Sequence, residues 1–363
     1  MAVSNNNIKN NPKFIYLFAY YNLHSPSVRY RWKYPLDFLK SKYGINSYFI
    51  TPSYRSTKVL KFLKAYFSAL FFRKENSLII IQRISSNFIY SNALKLLVKI
   101  RKINTIYDLD DADYIDNSPK TIYYFIKNCS CVTVGSNELI RNLSKINKNI
   151  ILNTSPTPNL NIVKKNKNPY FTIGWIGEFG GGHKESLLKY FFPSLKNLPF
   201  QVKLILLGVA EKSEYEFLAN YFKSFENILL EMPQGIDWTN EEDIQKRIST
   251  FDIGIATLLD DELHRSKSAF KTKQYFNNGV PVLSSDLPEN NLFITHGKNG
   301  FLCRTSYDFM QRIIEIHEMS NESYTNLSAN ARQSIHNFDL SKYCHELINI
   351  YNKGTESIIA FKR

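Results

Sequence analysis

The sequence predicts an α/β protein of two Rossmann-like domains, each built on a doubly wound parallel sheet, facing each other across a cleft. Its 363 residues are enough for two domains. Short, continuously apolar runs alternate with helical patterns in both halves. Buried parallel strands are apolar in this way because helices cover both faces of their sheet. A proline-rich break separates the two series, and ligands of such domains bind at the carboxyl ends of the strands.

Eleven apolar runs are the predicted strands, and Pro156 and Pro158 mark the break between the two series. Six strands precede the break: 14–20, 47–50, 78–82, 105–108, 131–134 and 150–152. Five follow it: 171–176, 202–207, 228–230, 253–256 and 280–283. We therefore expect one domain over 1–157 and a second over 168–336.

Composition points to an ordinary globular protein, with 44% hydrophobic and 21% charged residues. A chain of this length needs neither disulfides nor a metal to stay folded. Its four cysteines fit no zinc-binding spacing, so we expect reduced thiols and no metal site. No secretory signal and no apolar run of about 20 residues is visible, which predicts a cytoplasmic protein that is not integral to a membrane.

The positive charge is concentrated in the first half of the chain. Residues 1–167 hold 26 Lys and Arg against 8 Asp and Glu (+18), and the remainder holds 20 against 24 (−4), which together give the net charge of +14. A basic half indicates a phosphate-bearing partner: nucleic acid, an anionic membrane surface or a phosphorylated acceptor. Charge that serves solubility alone is the alternative.

A glycine-rich turn follows the predicted strand 171–176 and leads into a helical pattern. Gly177, Gly181 and Gly182 would let the backbone approach a ligand closely. Amides at the following helix start favour an anion, and Lys184 would add a charge-assisted contact to a phosphate. A simple tight connection between strand and helix is the alternative interpretation.

A second candidate segment follows the strand 253–256, where a helix is predicted to begin near residue 268. Lys267 and Lys271 are four residues apart, which would place both on one side of the helix start. Together with free amides they would form a cradle for a diphosphate, and a solvated lysine face is the alternative. The first residues of this helix would be Ser268, Ala269 and Phe270.

Two short motifs give this segment a family resemblance. The run G-V-P-V-L at 279–283, with Gly279 as a left-handed helix stop, and the turn N-G-F-L at 299–302 resemble the retaining glycosyltransferases of family 4, which have the two-domain GT-B fold. Gln274 falls at the second glutamate of the family's E-x7-E pattern, which implies contact with the ribose of a nucleotide. Ser266 stands at the first glutamate, where the family contacts the transferred sugar.

A variant branch of that family, with K-x-x-x-K-x-x-Q-Y, is similar to Lys267, Lys271, Gln274 and Tyr275. The resemblance implies a nucleotide-diphosphate sugar as co-substrate, with no permanently bound cofactor, and a glycan or lipid-linked acceptor in cell-surface polysaccharide synthesis such as lipopolysaccharide, O-antigen or capsule. It also implies a nucleotide-sugar domain at 168–336, an acceptor domain at 1–157, and a C-terminal helix at 337–363 that packs back on the latter.

Two lysines and an arginine are the predicted catalytic residues. The leaving nucleoside diphosphate gathers negative charge, which positive side chains would stabilise. The arginine of the family's first donor loop is absent, so Lys267 and Lys271 are expected to replace it. Arg31, with Arg29 and Ser27, follows the first strand in an S-x-R-x-R pattern that resembles the same branch. The resemblance implies that this loop touches donor and acceptor, with Ser27 and Arg29 on the acceptor side. Either arginine is expected to face phosphate, with surface salt bridges as the alternative.

Clustered carboxylates end the fourth predicted strand in the sequence Y-D-L-D-D-A-D at 107–113. Such a cluster indicates metal binding or recognition of hydroxyl groups. The variant branch has a similar "YDLDD", which implies a place in the substrate cleft. Because this fold commonly transfers sugars without a bound metal, we expect Asp110 and Asp111 to position the acceptor, with a structural role as the alternative.

A basic, aromatic helix is predicted over 57–74. Lys58, Lys61 and Lys64 recur every third residue, and leucines and aromatic residues fill most of the remaining positions. Such a helix can lie on an anionic membrane, which would make the protein peripheral on the inner face of the cell membrane. A helix packed in the core, with a thin lysine stripe, is the alternative.

Two other functions fit parts of the sequence. A nucleotide-sugar epimerase can share the fold, and product analysis would separate it from a transferase. The basic half would suit a nucleic-acid-binding protein, but the aromatic residues lie in apolar runs and no RNP, KH or helix-turn-helix signature is present. We therefore expect no nucleic acid partner.

Overall fold

The structure of the chain is a computed structural model that describes residues 11–52, 55–72, 76–101, 104–115, 119–164 and 166–361. It divides into two units. The first unit comprises Met1–Pro156, Ser266–Ser268 and Phe338–Arg363. The second unit comprises Thr157–Arg265 and Ala269–Asn337.

The first unit contains a six-stranded parallel sheet with the strand order β2-β1-β3-β4-β5-β6. The strands are β1 Phe14–Ala19, β2 Asn46–Ile50, β3 Ser77–Gln82, β4 Thr105–Leu109, β5 Cys131–Val134 and β6 Ile150–Leu152. The helices are α1 Pro26–Val28, α2 Tyr34–Tyr43, α3 Ser56–Phe67, α4 Phe88–Arg101, α5 Pro119–Asn128 and α6 Asn137–Leu143. Two π-helical segments, Arg29–Lys33 and Ser68–Phe72, extend α1 and α3.

The second unit contains another six-stranded parallel sheet, with the order β12-β11-β10-β7-β8-β9. Its strands are β7 Thr172–Ile176, β8 Val202–Leu207, β9 Ile228–Glu231, β10 Ile253–Ala256, β11 Val282–Ser285 and β12 Gly300–Cys303. Its helices are α7 Gly181–Ser186, α8 Phe192–Leu195, α9 Lys212–Phe222, α10 Glu241–Ile248, α11 Glu262–Arg265, α12 Phe270–Asn277, α13 Pro288–Asn291, α14 Ser306–Glu318 and α15 Asn321–Ser334. A π-helical segment, Leu187–Phe191, joins α7 to α8.

The two parallel sheets confirm the predicted α/β class, and each apolar run chosen from the sequence overlaps an observed strand. One strand was not predicted: β12 occupies the turn expected at 299–302. It begins at Gly300, where a side chain would press on the backbone of Val282 in the neighbouring strand. Gly279 ends α12 with a φ of 66°, which confirms the predicted left-handed stop.

Each sheet has a topological switch point, where successive connections leave in opposite directions. In the first unit β1 lies between β2 and β3, and in the second unit β7 lies between β8 and β10. The loops after the two strands on either side of that point turn away from each other, which opens a crevice at the carboxyl edge. Ligand-binding residues of these units are therefore expected after β1 and β3, and after β7 and β10.

The last helix, α16 Leu340–Phe361, belongs to the first unit. Tyr343, Leu347 and Tyr351 are buried in the same core as Trp32 and the strands of the first sheet. The first unit therefore draws on both ends of the chain. Among the described residues, no helix is both long enough and apolar enough to cross a bilayer.

Candidate active site

The switch crevice of the second unit is built around Lys271. This lysine lies in the first turn of α12, and its side chain is half-buried. Its Nζ is 3.1 Å from Nε2 of His183 and 5.9 Å from the ring centroid of Trp175. Because the ammonium can donate to an imidazole lone pair and lies over an aromatic ring, its position is defined from two sides. A positive charge is thus held at the crevice between β7 and β10.

Gly177, at the end of β7, leaves the space that Lys271 occupies. A side chain at this position would press on Cε of Lys271 and on the Trp175 ring, and the φ of 155° already disfavours other residues. The glycine was predicted to admit a ligand to the backbone. In the structure the space beside Gly177 is occupied by the side chain of Lys271.

Lys184, which was predicted to contact a phosphate, lies against two aromatic rings. Its ammonium is 4.2 Å from the ring centroid of Phe217 on α9 and 5.7 Å from that of Phe179. These aromatic faces hold the charge by cation–π attraction. The residue that contacts Lys271 is His183, directly before Lys184. The sequence reasoning missed His183, although it directly follows the glycine turn.

A second histidine reaches the glycine turn from the loop after β10. A side chain on Gly182 would overlap the imidazole of His264, whereas Gly181 faces open space at a φ of 46°. Nδ1 of His264 is 2.7 Å from both carboxylate oxygens of Asp261. The two loops that border the switch point thus meet through Gly182 and His264. The sequence signal for this pair was a histidine, His264, three residues after an aspartate, Asp261.

The start of α12 differs from the prediction. The helix begins at Phe270 and not near Ser268, because Ala269 adopts a left-handed backbone with a φ of 51°. Ser266–Ser268 belong to the first unit, so Lys267 and Lys271 do not share a helix face. The predicted pair of lysines on one helix start is therefore wrong.

The predicted ribose ligand, Gln274, lies on α12 one turn after Lys271 and is 9% exposed. Lys267 lies in the first unit, where its Nζ is 3.5 Å from Oδ1 of Asp111. The carbonyl of Ser266 accepts a hydrogen bond of 2.6 Å from the hydroxyl of Ser136. The segment 266–268 is thus held by the carboxyl edge of the first sheet.

An arginine missed by the sequence reasoning organises the carboxylates of the first unit. Arg83 follows β3 with a left-handed φ of 51°. Its guanidinium donates twice to Asp113, at 2.6 and 2.5 Å, and lies 3.2 Å from Asp110 and 3.5 Å from Asp111. Burial opposes its charge, but the carboxylates outweigh burial and raise the pKa of Arg83. The sequence signal for Arg83 was its position directly after β3, the strand that pairs with β4.

Asp110 is the most perturbed carboxylate of this cluster. Burial, together with the charge of Asp111, raises its pKa from 3.8 to about 6, although Arg83 opposes the shift. Its Oδ1 is buried and forms no hydrogen bond within the described residues. Perturbed, incompletely satisfied carboxylates gather at functional sites.

We predict that Asp110→Asn raises the free energy of unfolding at pH 7. The folded-state pKa lies above the unfolded value, so the folded protein holds this proton more tightly and loses stability as the pH rises from about 4 to 6. An amide avoids that loss, which corresponds to roughly 1–3 kcal/mol. Urea unfolding between pH 4 and 8 measures the difference. Asp37→Asn, on an exposed helix surface, should leave the profile unchanged, and a destabilised D110N protein at pH 7 would contradict the prediction.

The two arginines predicted to face phosphate are buried inside the first unit. Arg31 is fully buried and forms an ion pair with Asp108 on β4. Arg29 donates from Nη1 to the carbonyls of Leu23 and His24, at 3.1 and 2.6 Å, and so shapes the loop after β1. Neither guanidinium is exposed to face a phosphate, because Arg31 is fully buried against Asp108 and Arg29 is 3% exposed, with Nη1 bound to loop carbonyls.

Ser27, the third residue of that predicted group, does lie at the carboxyl edge of the first sheet. Its hydroxyl accepts a hydrogen bond of 3.4 Å from Nη1 of Arg83. Ser27 therefore borders the carboxylate cluster.

Among the described residues, no group of three His, Cys, Asp or Glu side chains is arranged to hold a metal ion.

Solved structures of low sequence identity share this fold. HepE from Anabaena, crystallised with UDP and glucose, has a TM-score of 0.67 and 14% identity, over 94% of this chain and 100% of that chain. A sucrose-phosphate synthase from Thermosynechococcus elongatus has a TM-score of 0.69 and 11% identity, over 94% and 98%. A glycosyltransferase from Rickettsia africae has a TM-score of 0.64 and 14% identity, also over 94% and 98%.

These likenesses show that the chain has the GT-B fold of glycosyltransferases, as the sequence predicted. No protein-family model matches the sequence, and no curated protein matches it. The class of fold therefore comes from the three-dimensional arrangement alone. The reaction has to be argued from the residues at the two carboxyl edges.

Proposed function

We propose that this protein is a glycosyltransferase that moves a sugar from a nucleotide-diphosphate donor to a hydroxyl acceptor. The observation that carries the proposal is the Lys271–His183 pair at the switch point of the second sheet, where this fold class binds nucleotides. The likeness to HepE, which was crystallised with UDP-glucose as well as with UDP, supports a nucleotide-sugar donor. We assign the chain to the retaining enzymes of family 4.

On the donor side, Lys271 places its ammonium against the diphosphate and stabilises the negative charge of the departing nucleotide. Gln274, one turn further along α12, offers its amide to the ribose hydroxyls. Gly177 leaves room for the Lys271 side chain, and Gly181, which faces open space, leaves room for the ligand along the loop after β7. The departing phosphate draws the proton from the acceptor hydroxyl, so the sugar is transferred on one face without a side-chain nucleophile.

On the acceptor side, Asp110 and Asp111 receive hydroxyl groups of a glycan or lipid-linked acceptor. Asp110 suits this role because its carboxylate is buried and its Oδ1, which lies 3.2 Å from Nη1 of Arg83, accepts no hydrogen bond within the described residues. Arg83 fixes the neighbouring Asp113 and keeps the cluster in place. We place the reaction in the synthesis of a cell-surface polysaccharide, at the cytoplasmic face of an anionic membrane.

A panel of UDP, GDP, dTDP and ADP sugars tests the donor assignment by thermal shift. A sugar nucleotide at a hundred times its dissociation constant stabilises the protein by about 2.7 kcal/mol, and a metal chelator should not change the shift. Product analysis with the stabilising donor then distinguishes transfer or slow hydrolysis from epimerisation. A panel in which no nucleotide sugar shifts the transition would overturn the proposal, as would an epimerised sugar released still attached to its nucleotide.

A further inference from the structure

Helix α3 and its π-helical extension expose an apolar face. Leu60, Leu63, Phe67 and Phe71 are 66%, 40%, 47% and 65% exposed. They recur at intervals of three and four residues, which places them on one side of a helix. The rings of Phe67 and Phe71 stack at 6.2 Å with an angle of 10°, which confirms that these two side chains share that side.

The opposite face of the same helix is the one that packs on the first unit. Ala65, Tyr66, Ala69 and Leu70 are buried. The hydroxyl of Tyr66 donates a hydrogen bond of 3.0 Å to the carbonyl of Ala93 on α4. The helix is therefore apolar on two sides, and the core covers only one of them. The alternative of a core helix with a thin lysine stripe does not account for the exposed apolar side.

The beginning of α4 extends the exposed apolar surface. Phe62 of α3 packs on Tyr90, with ring centroids 5.2 Å apart, so the two helices are neighbours. Phe88 and Ile89, directly before Tyr90, are 83% and 71% exposed. Phe72, at the end of the π-helical segment, is 83% exposed. Large exposed apolar clusters of this kind mark interaction surfaces.

The surroundings of this face are strongly basic. Lys58, Lys61 and Lys64 are exposed on α3. Residues 55–101 contain ten Lys and Arg and a single acidic residue, Glu75, and residues 56–72 contain no acidic residue. An occupant of this face must therefore accept apolar side chains and carry negative charge.

We propose that this face of α3, with Phe72, Phe88 and Ile89, inserts into an anionic lipid bilayer. A bilayer offers a hydrocarbon layer to the leucines and phenylalanines and anionic headgroups to the lysines. A second copy of the chain would bring like charges together, and nucleic acid would leave the apolar side chains in water. The inference builds on the membrane location proposed for the function and specifies the surface that attaches.

Vesicle sedimentation tests the surface. The wild-type chain is expected to sediment with phosphatidylglycerol vesicles and weakly with phosphatidylcholine vesicles. Leu60→Ser combined with Phe71→Ser should weaken this binding by about a hundredfold, since each large apolar side chain contributes about tenfold. Exchanging Lys58, Lys61 and Lys64 for glutamine should weaken binding by about fivefold per lysine and remove the preference for anionic lipid.

The matched control is Leu292→Ser combined with Tyr307→Ser in the second unit, where the two side chains are 62% and 63% exposed. It should bind vesicles as the wild type does. Equal vesicle binding by the L60S/F71S protein would overturn the proposal, as would failure of the wild type to bind. A dimer that is broken by L60S/F71S would assign the face to a second copy instead.

The donor-induced thermal shift, measured on the same proteins, separates this inference from the transferase proposal. All of the variants should keep the shift of the wild type, because none of the exchanged residues lies at the switch crevice. Vesicle binding without any donor shift would refute the transferase proposal alone. A donor shift without vesicle binding would refute the membrane surface alone.

Discussion

Replacing Lys271 with alanine is expected to abolish the thermal shift caused by the nucleotide-sugar donor and to lower kcat/KM for transfer by about 10²–10³-fold. Removing one preorganised donor of positive charge from a developing negative charge has effects of this size. The ammonium is held by His183 and by the face of Trp175, so little reorganisation is needed when the diphosphate binds. Initial rates and thermal shifts with the same donor measure both effects.

Lys184→Ala is the matched control for this prediction. Lys184 is also half-buried and also lies against aromatic rings, but its ammonium contacts Phe217 and Phe179. The variant should keep both the donor shift and the rate within a few-fold of the wild type. The opposite result, with the donor shift lost only in K184A, would favour Lys184 over Lys271 as the residue that contacts the diphosphate. The transition temperature without ligand verifies that each variant is folded.

His183→Gln distinguishes a positioned lysine from a merely nearby one. If the imidazole orients the ammonium, its loss should raise KM for the donor more than it lowers kcat, with an effect smaller than that of K271A. A glutamine can still accept a hydrogen bond from the lysine, so part of the effect should be rescued relative to alanine.

The sequence predicted most of the fold because parallel strands carry their own signal. A strand covered on both faces is a continuous apolar run, and eleven such runs could be recognised without knowing their partners. The strand β12 carries a weaker signal. It has four residues, begins with glycine, and depends on pairing with β11, from Val282–Gly300 to Ser285–Cys303.

The candidate active site was less predictable because its contacts join distant parts of the chain. Lys271 was chosen from its spacing to Lys267, yet the His183 that it contacts is 88 residues away and the two lysines belong to different units. The left-handed conformation of Ala269 separates them, and alanine gives no sequence signal for that conformation. Arg83 was missed for a similar reason, since its carboxylate partners come from the loop after the next strand, β4.

Arg31 shows how a charged pattern can mislead. The S-x-R-x-R spacing indicates an anion site. In the structure the guanidinium of Arg31 instead pairs with a carboxylate of the protein itself, that of Asp108, 77 residues further along the chain. Nε donates to Oδ2 of Asp108 at 3.0 Å, Nη2 pairs with Oδ1, and Nη1 donates to the carbonyl of Asn153 at 2.8 Å. Burial by itself opposes the positive charge, but Asp108 outweighs it and raises the pKa of Arg31.

Asp108 is satisfied by several donors at once. Its carboxylate also accepts hydrogen bonds from Nε1 of Trp32 at 2.9 Å and from the hydroxyl of Thr133 at 2.7 Å. The guanidinium of Arg31 lies 6.0 Å from the ring centroid of Tyr343 on α16. One buried ion pair thus joins the helical segment after β1, the strands β4 and β5, the end of β6 and the last helix.

Arg31→Met is therefore expected to lower the free energy of unfolding by about 3–5 kcal/mol, since it leaves the carboxylate of Asp108 buried without its counter-charge. Adding Asp108→Asn should recover part of the loss, because an amide carries no charge and keeps one acceptor oxygen for either Thr133 or Trp32, which donate to different oxygens of Asp108. Urea unfolding of the two single variants and the double variant gives the coupling energy, for which we expect at least about 1 kcal/mol. If Arg31 instead faced a donor phosphate, R31M would keep the wild-type stability and lose the nucleotide-induced shift. Arg31 supports the carboxyl edge from within, and we propose that the charge that meets the donor comes from Lys271.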